Sequence, residues 1–439
     1  MTNKNSTLTS NKNIRTLLTS ATGCLLGISA TSVVAESDTA NLKSDWQTNI
    51  AILGYTETDR VSAFEPAIAI KKTFEDESVL GFKLVFDALT GASANGAVAT
   101  SEVQTFTRPS GKGTYTAGKD ETPLDDTFRD TRVNFTASYE QPLSDRLEKI
   151  VWGANVSREF DFTSLGGSGT FMRDLNQRNT TLSAGFSFEL DAIRPVGGAP
   201  VALTEMQAAG PSTREGDKSR SMVEMLLGVT QVVDRNTLMQ FNYGIALSNG
   251  YHTDAYKIVS VVDEITGVVA PGESLNSKYL YESRPDSRIK HSLFAKVKRF
   301  INGDVADASY RYMWDDWGVA SSTIDMHYRF NLTSWYLEPH VRYYRQQAAD
   351  FYHTSITTTQ ATILETSGGD LTADYRLGDM AATTIGLKLG FLTPSGNKSS
   401  IRLEYYNQVG TASDIYGVQS KQDLVPDVNA VIMQYNYSF

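Results

Sequence analysis

The sequence predicts an all-β fold: a transmembrane, antiparallel, up-and-down β-barrel of about 16 strands in the bacterial outer membrane. Three observations predict it. The 439-residue chain opens with an export signal, its apolar and polar residues alternate with period two in one segment after another, and it ends on an aromatic residue.

The export signal is read at residues 1–35. Lys4, Lys12 and Arg15 make a positive n-region, Leu17 to Ile28 a short apolar stretch, and Val33-Val34-Ala35 a small-residue end suited to signal peptidase. The apolar stretch is too short to span a membrane as a helix. A lipoprotein signal around Gly23-Cys24 is the weaker alternative, because few apolar residues precede the cysteine. Cys24 is the only cysteine, so the barrel expected over 36–439 uses neither disulfides nor a Cys-ligated metal.

Composition alone does not separate this chain from a soluble protein: 41% of residues are hydrophobic and 21% charged. After residue 35 nothing approaches the ~20 apolar residues of a spanning helix. A barrel hides its membrane signal, since each strand turns only alternate residues to lipid. The net charge of −10 argues against a nucleic-acid partner.

Strands are read from their parity. In the last nine residues Val431, Met433, Tyr435, Tyr437 and Phe439 share one face, while Ile432, Gln434, Asn436 and Ser438 share the other. Tyr435, Tyr437 and Phe439 resemble the terminal insertion signal of outer-membrane barrels, which implies lipid and the barrel-assembly machinery as partners. The same alternation runs through Leu80–Phe86, Val133–Tyr139, Leu182–Leu190 and Ile324–Leu332, with no helical spacing of three and four. Fifteen strands follow: 45–55, 61–74, 79–89, 130–141, 150–161, 179–191, 221–233, 237–249, 287–299, 304–315, 321–332, 335–347, 379–391, 399–409 and 429–439.

Loop lengths call for one more. Short turns at Glu75–Ser78, Asp234–Asn236, Ile301–Gly303 and Pro394–Lys398 suit the periplasmic side, and long connections at 90–129, 192–220, 250–286, 348–378 and 410–428 the extracellular side. The two kinds alternate only if 162–173 is a strand, with Leu165, Gly167, Gly169 and Phe171 outward and a turn at Asn176–Thr180. The long connections are polar, with no repeat and no second core expected.

Parity then fills the inner wall. Arg288, Lys290, Lys296 and Lys298 face inward, followed by Asp307 and Arg311, then Asp325, His327 and Arg329, then Glu338, His340 and Arg342, with Lys388, Arg402 and Glu404 continuing the band. Two readings stand: a basic stripe that favours anions, or a ladder of mutually paired charges that keeps the lumen wet. His327 and His340 fall on neighbouring strands. With a carboxylate they make a metal-binding set, and the plainer role is lumen wall, so no metal is assigned. Trp314 and Trp317 are read as aromatic-belt residues beside a short outer turn. No nucleophile elbow, His-Glu-x-x-His helix or phosphate loop appears, and no catalytic residue is assigned.

From about Trp46 to Phe439 the chain resembles a bacterial family catalogued as a domain of unknown function, family 3570, and regarded as outer-membrane barrels. The resemblance is carried by Asp87-Ala88-Leu89-Thr90-Gly91-Ala92-Ser93-Ala94-Asn95-Gly96, Glu121–Phe128, Asn236–Tyr243, Arg284–Arg288, Tyr310–Gly318 and Leu337–His340. It implies fold and location and brings no established activity.

Within it, Asp87-Ala88-Leu89-Thr90-Gly91-Ala92-Ser93 looks like the acceptor motif of FAD:protein FMN transferases, which implies covalent FMN on the Ser93 hydroxyl, with Asp87 and Thr90 in the motif. The plain alternative is a turn that ends a strand. Three expectations of function follow: a passive, porin-like channel for small hydrophilic solutes, a redox component carrying FMN, or a plugged barrel that serves as an adhesion or assembly scaffold. A homo-oligomer is compatible with each.

Overall fold

The computed structural model describes residues 46–108, 113–143, 146–207, 214–392 and 397–439. The predicted export signal at 1–35, with Cys24, lies outside the described residues, as does most of the predicted turn at Pro394–Lys398.

Sixteen strands, joined in chain order, close into one barrel. They are β1 (Trp46–Glu57), β2 (Val61–Thr73), β3 (Val79–Ala94), β4 (Leu124–Pro142), β5 (Glu148–Arg158), β6 (Phe162–Leu175), β7 (Thr180–Ile193) and β8 (Lys218–Asp234). The second half comprises β9 (Thr237–Gly250), β10 (Ser287–Ile301), β11 (Asp304–Asp315), β12 (Ala320–Asn331), β13 (Trp335–Gln346), β14 (Asp379–Leu392), β15 (Lys398–Thr411) and β16 (Val428–Ser438). The barrel closes where β1 pairs with β16, placing Ile52 opposite Tyr435. Phe439 completes the seam, its N–H donating to the Thr48 carbonyl at 3.0 Å while Thr48 N–H donates to the Phe439 carbonyl at 2.8 Å. The strand that loop lengths demanded is β6, with Leu165 and Phe171 exposed on its outer face.

β3 and β4 run further than the alternation predicts. Asp87–Ser93 lies inside a paired strand, which corrects the reading of Thr90–Ser93 as a terminating turn. A register shift between Gly91 and Ser93 lets the pairing continue. Gly91 has φ +131°, and a Cβ there would sit 2.2 Å from the Arg60 carbonyl oxygen. Only glycine passes that contact.

The outward face forms an apolar belt. Phe82, Leu84 and Phe86 are 37–44% exposed, while inward Val85 and Asp87 are buried. The pattern repeats at Phe186 and Phe188 on β7, Ile385 and Leu387 on β14, and Leu403 on β15. Exposed apolar surface continuous around a barrel is stable in hydrocarbon and not in water. Trp46, Phe300, Trp335, Phe391 and Phe439 rim its periplasmic end, where aromatic rings suit the headgroup level. No described helix is long and apolar enough to cross a membrane. The protein is an outer-membrane β-barrel in contact with membrane lipid.

The long extracellular connections correct one expectation: they do build a second core. Ile258–Val262 pairs with Tyr279–Tyr281 and with Ser355–Thr357 in a three-stranded sheet, followed by a helix, α1 (Thr358–Ser367). Val259, Val261, Leu280, Ile356 and Leu371 pack in one buried cluster, and Phe106, Ile258 and Tyr279 anchor another. A third holds Trp317, Phe351 and Leu377. Trp317 is therefore no belt residue. Its indole N–H donates to the Ser287 carbonyl at 2.8 Å, and its ring stacks under Arg288.

Candidate functional site

Antiparallel pairing sets inward residues of adjacent strands side by side, at about 5 Å between Cβ atoms. Two rows of the wall result. In one, Lys298, Asp307, His327, His340, Gly386 and Glu404 follow one another across β10 to β15. In the row below, Glu338, Lys388, Arg402 and Gln434 are neighbours across β13 to β16.

All twelve residues assigned to the wall from sequence (Lys296, Lys298, Arg311, Asp325, His327, Arg329, Glu338, His340, Arg342, Lys388, Arg402 and Glu404) occupy inward register positions. Most of their charge is paired. Lys296 Nζ lies 2.9 Å from Asp307, and Arg329 Nε 2.6 Å from Glu338. Lys388 and Arg329 sit over the Tyr336 ring, and Arg402 Nη1 is 3.6 Å from Glu404.

Arg311 and Arg342 differ. Both are exposed on the inner wall, and among the described residues neither makes an ion pair; Arg311 rests over the Phe294 ring at 5.5 Å. The paired-ladder reading thus describes most of the wall, and the basic reading describes these two arginines.

The histidines meet face to face. The rings of His327 and His340 are stacked, with centroids 4.1 Å apart and an interplanar angle of 2°. Asp325 serves both: Oδ1 lies 2.8 Å from His327 Nε2 and Oδ2 3.1 Å from His340 Nε2. Glu404 Oε1 lies 2.7 Å from His340 Nδ1 although Glu404 is two strands away. The gap is bridged because Gly386 stands between them. A Cβ at Gly386 would be 2.6 Å from Glu404 Cγ.

Charge also lines the first half of the barrel, which the sequence reading passed over. Arg132 pairs with buried Asp87, and Arg220 Nη2 lies 2.7 Å from buried Asp191. Asp87 is thereby engaged in the wall. In the flavin-acceptor motif Asp87 points inward, Thr90 is exposed at the outer end of β3, and Ser93 lies beyond the bulge, paired in register with Asp125.

Above the wall the loop core is latched by buried charge. Glu282 accepts from Arg284 Nη2 at 3.0 Å and from Thr372 Oγ1 at 2.5 Å, and forms an ion pair with the same guanidinium. Asp374 accepts from Arg284 at 2.8 Å, and Asp254 from Arg376 at 2.6 Å. Lys257 donates to the Ala94 carbonyl, which ties the latch to the end of β3. Tyr375 underlies Arg60, bringing the segment 374–378 to the β1–β2 side of the mouth.

Burial pushes the Glu282 carboxyl up to about 7, against the pull of Arg284. Burial also raises Asp374, but the Arg376 guanidinium, with Lys257 and Arg284, outweighs it and holds that group below the usual carboxylate range. Burial draws Lys257 below an ordinary lysine. No part of this latch was anticipated from sequence. The available cue was the apolar run Ile258-Val259-Ser260-Val261-Val262 inside a connection otherwise read as polar.

A family model described as "Protein of unknown function (DUF3570)" matches residues 15–439. No curated protein matches the chain. Among solved structures it is similar to CdiB from Acinetobacter baumannii, at 8% identity and a TM-score of 0.43, covering 91% of this chain and 60% of that one. It is also similar to a bacterial polysaccharide outer membrane secretin, at 7% identity and TM-score 0.44, covering 91% of this chain and 100% of that one. For OprB of Pseudomonas putida the identity is 9% and the TM-score 0.37, over 90% of this chain and 93% of that one.

Proposed function

The chain belongs to the DUF3570 family of proteins of unknown function, and we propose that it acts as a passive channel for small hydrophilic solutes, with a preference for anions. The observation that carries this reading is the pair Arg311 and Arg342, exposed on the inner wall, where fixed positive charge without a carboxylate partner attracts anions. The surrounding ion pairs keep the wall polar without adding net field. Tyr435, Tyr437 and Phe439 serve as the signal read by the barrel-assembly machinery. Planar-bilayer recording tests the channel: discrete conductance with an anion-favouring reversal potential is expected, and a barrel that never conducts overturns it.

A second reading is favoured by the loop core. A cap with its own buried clusters and charged latch is what a closed barrel acting as an adhesion or assembly scaffold requires. Deletion of 258–281 separates the two. A scaffold loses partner binding with that segment, whereas a channel keeps conducting, and conducts more freely.

A further inference from the structure

We infer that Asp325, His327 and His340 form an exchangeable binding site for a divalent transition-metal ion, zinc first, on the lumen wall. The inference is independent of the channel reading.

The three side chains offer ligand atoms that all lie within 4.8 Å of one another. Two imidazole nitrogens and a carboxylate oxygen are a donor set that suits borderline ions such as zinc. Around a tetrahedral zinc with bonds of about 2.0–2.1 Å, neighbouring ligand atoms stand about 3.4 Å apart. His327 Nε2 lies 2.8 Å from Asp325 Oδ1 and His340 Nε2 3.1 Å from Oδ2, so each imidazole already faces one oxygen of the same carboxylate, and ligation widens these contacts by about half an ångström. Direct register pairing sets His327 beside His340 from the backbone, and binding tilts the two rings out of their parallel stack so that both in-plane lone pairs meet the ion.

The outer partners point the same way. His340 Nδ1 is hydrogen-bonded to Glu404 at 2.7 Å, whereas His327 Nδ1 stands 4.0 Å from Glu338, an ion-pair distance and not a hydrogen bond. A neutral histidine that donates its Nδ1–H to a carboxylate presents a bare Nε2 to an ion, the usual outer-sphere arrangement of zinc histidines. Gly386 is what allows Glu404 to reach His340.

Asp325 is the carboxylate of this cluster that lacks a permanently charged partner. Arg329 compensates Glu338 and Arg402 compensates Glu404, while Asp325 has two imidazoles and, among the described residues, no arginine or lysine ion pair. A proton on His340 or a bound metal supplies the missing charge. Asp325 and His327 keep 25% and 28% of their side chains open, so the site is reached from the lumen. Three protein ligands with an open fourth position make an exchangeable site rather than a closed structural one.

The test uses the full, tag-free chain in detergent, stripped with chelator, equilibrated with zinc sulfate and freed of excess metal. Elemental analysis should find one zinc per chain, lost in His327→Ala and in Asp325→Asn. His353→Ala, which removes the histidine paired with Asp414 in the cap, should retain it. Glu404→Gln should weaken binding 10–100-fold, as expected when an outer-sphere partner is removed. Heat-modifiable migration identifies folded variants. If the variants do not fold, zinc protection of His327 and His340 in the wild type against diethylpyrocarbonate, read by mass spectrometry, carries the test. No zinc in the wild type, equal zinc in every folded variant, or no protection overturns the site and leaves a proton-held ion-pair network. A barrel that binds zinc and never conducts keeps the site and overturns the channel; one that conducts without zinc does the reverse.

Discussion

Arg311 and Arg342 are the positions at which single side chains bear most directly on the proposed channel. Replacing both with Gln removes two fixed charges from the wall without removing hydrogen-bonding capacity. The reversal potential in a salt gradient should then shift toward cations, while Lys296→Gln, which breaks a paired charge, should shift it less. Gly91 is a constrained backbone position within the barrel wall. Gly91→Ala places a side chain at φ +131° against the Arg60 carbonyl, and strain of this kind costs about 1–3 kcal/mol. A lower unfolding midpoint in urea checks it. Asp87 is engaged with Arg132 and Thr90 is on the outer end of β3, so the flavin reading places its acceptor, Ser93, in a paired strand. Intact mass of the exported protein in cells that carry the transferase decides between the readings: an unmodified Ser93 is expected of the channel, and a covalent flavin there would establish the redox reading.

At the scale of elements, the strand faces and the cap respond to different variables. Leu403 on β15 lies opposite Leu387 and Met433 on the lipid side and is 55% exposed. Leu403→Arg should destabilise the barrel by about 2–4 kcal/mol in liposomes if it sits near the bilayer midplane. The same change at Ile415, exposed in the extracellular connection, should be nearly neutral.

The cap should respond to pH through Glu282. Its folded pKa is raised to about 7 from 4.5, so between those values the folded cap holds a proton that the open form has lost. Cap stability therefore falls as pH rises from about 4.5 through 7 and is greatest on the acid side of that window. Asp374 works in the opposite sense, since its depressed pKa withdraws stability only as pH falls below the ordinary carboxylate range. Proteolysis of the 251–286 connection should quicken from pH 5 to 7, and Glu282→Gln should flatten the profile. A rate that does not change over that window, or changes equally in the variant, assigns the latch another role.

The molecule as a whole was open to sequence reading in a specific pattern. The strand count came from parity and loop length, and β6, a glycine-rich strand with weak alternation, was recovered because an even number of crossings has to return the chain to the periplasm. The wall residues were found because facing direction depends only on odd or even position along a strand. Which of them touch was not visible. Asp325 bridging His327 and His340, and Glu404 reaching across Gly386, depend on inter-strand register and on the absence of one side chain. Trp317 was misassigned for a related reason: its surroundings come from Phe351 and Leu377, distant in sequence.

By itself, then, the sequence determined the barrel, its strand count, its two faces and its lipid belt, because period-two alternation is a local property of the chain. Tertiary structure alone decided which charges are neutralised, which arginines stay open to the lumen, and how the extracellular connections close into a latched cap. Those outcomes depend on contacts between segments tens to hundreds of residues apart, such as Lys257 with Ala94 and Arg376 with Asp254, and no window of neighbouring residues contains them.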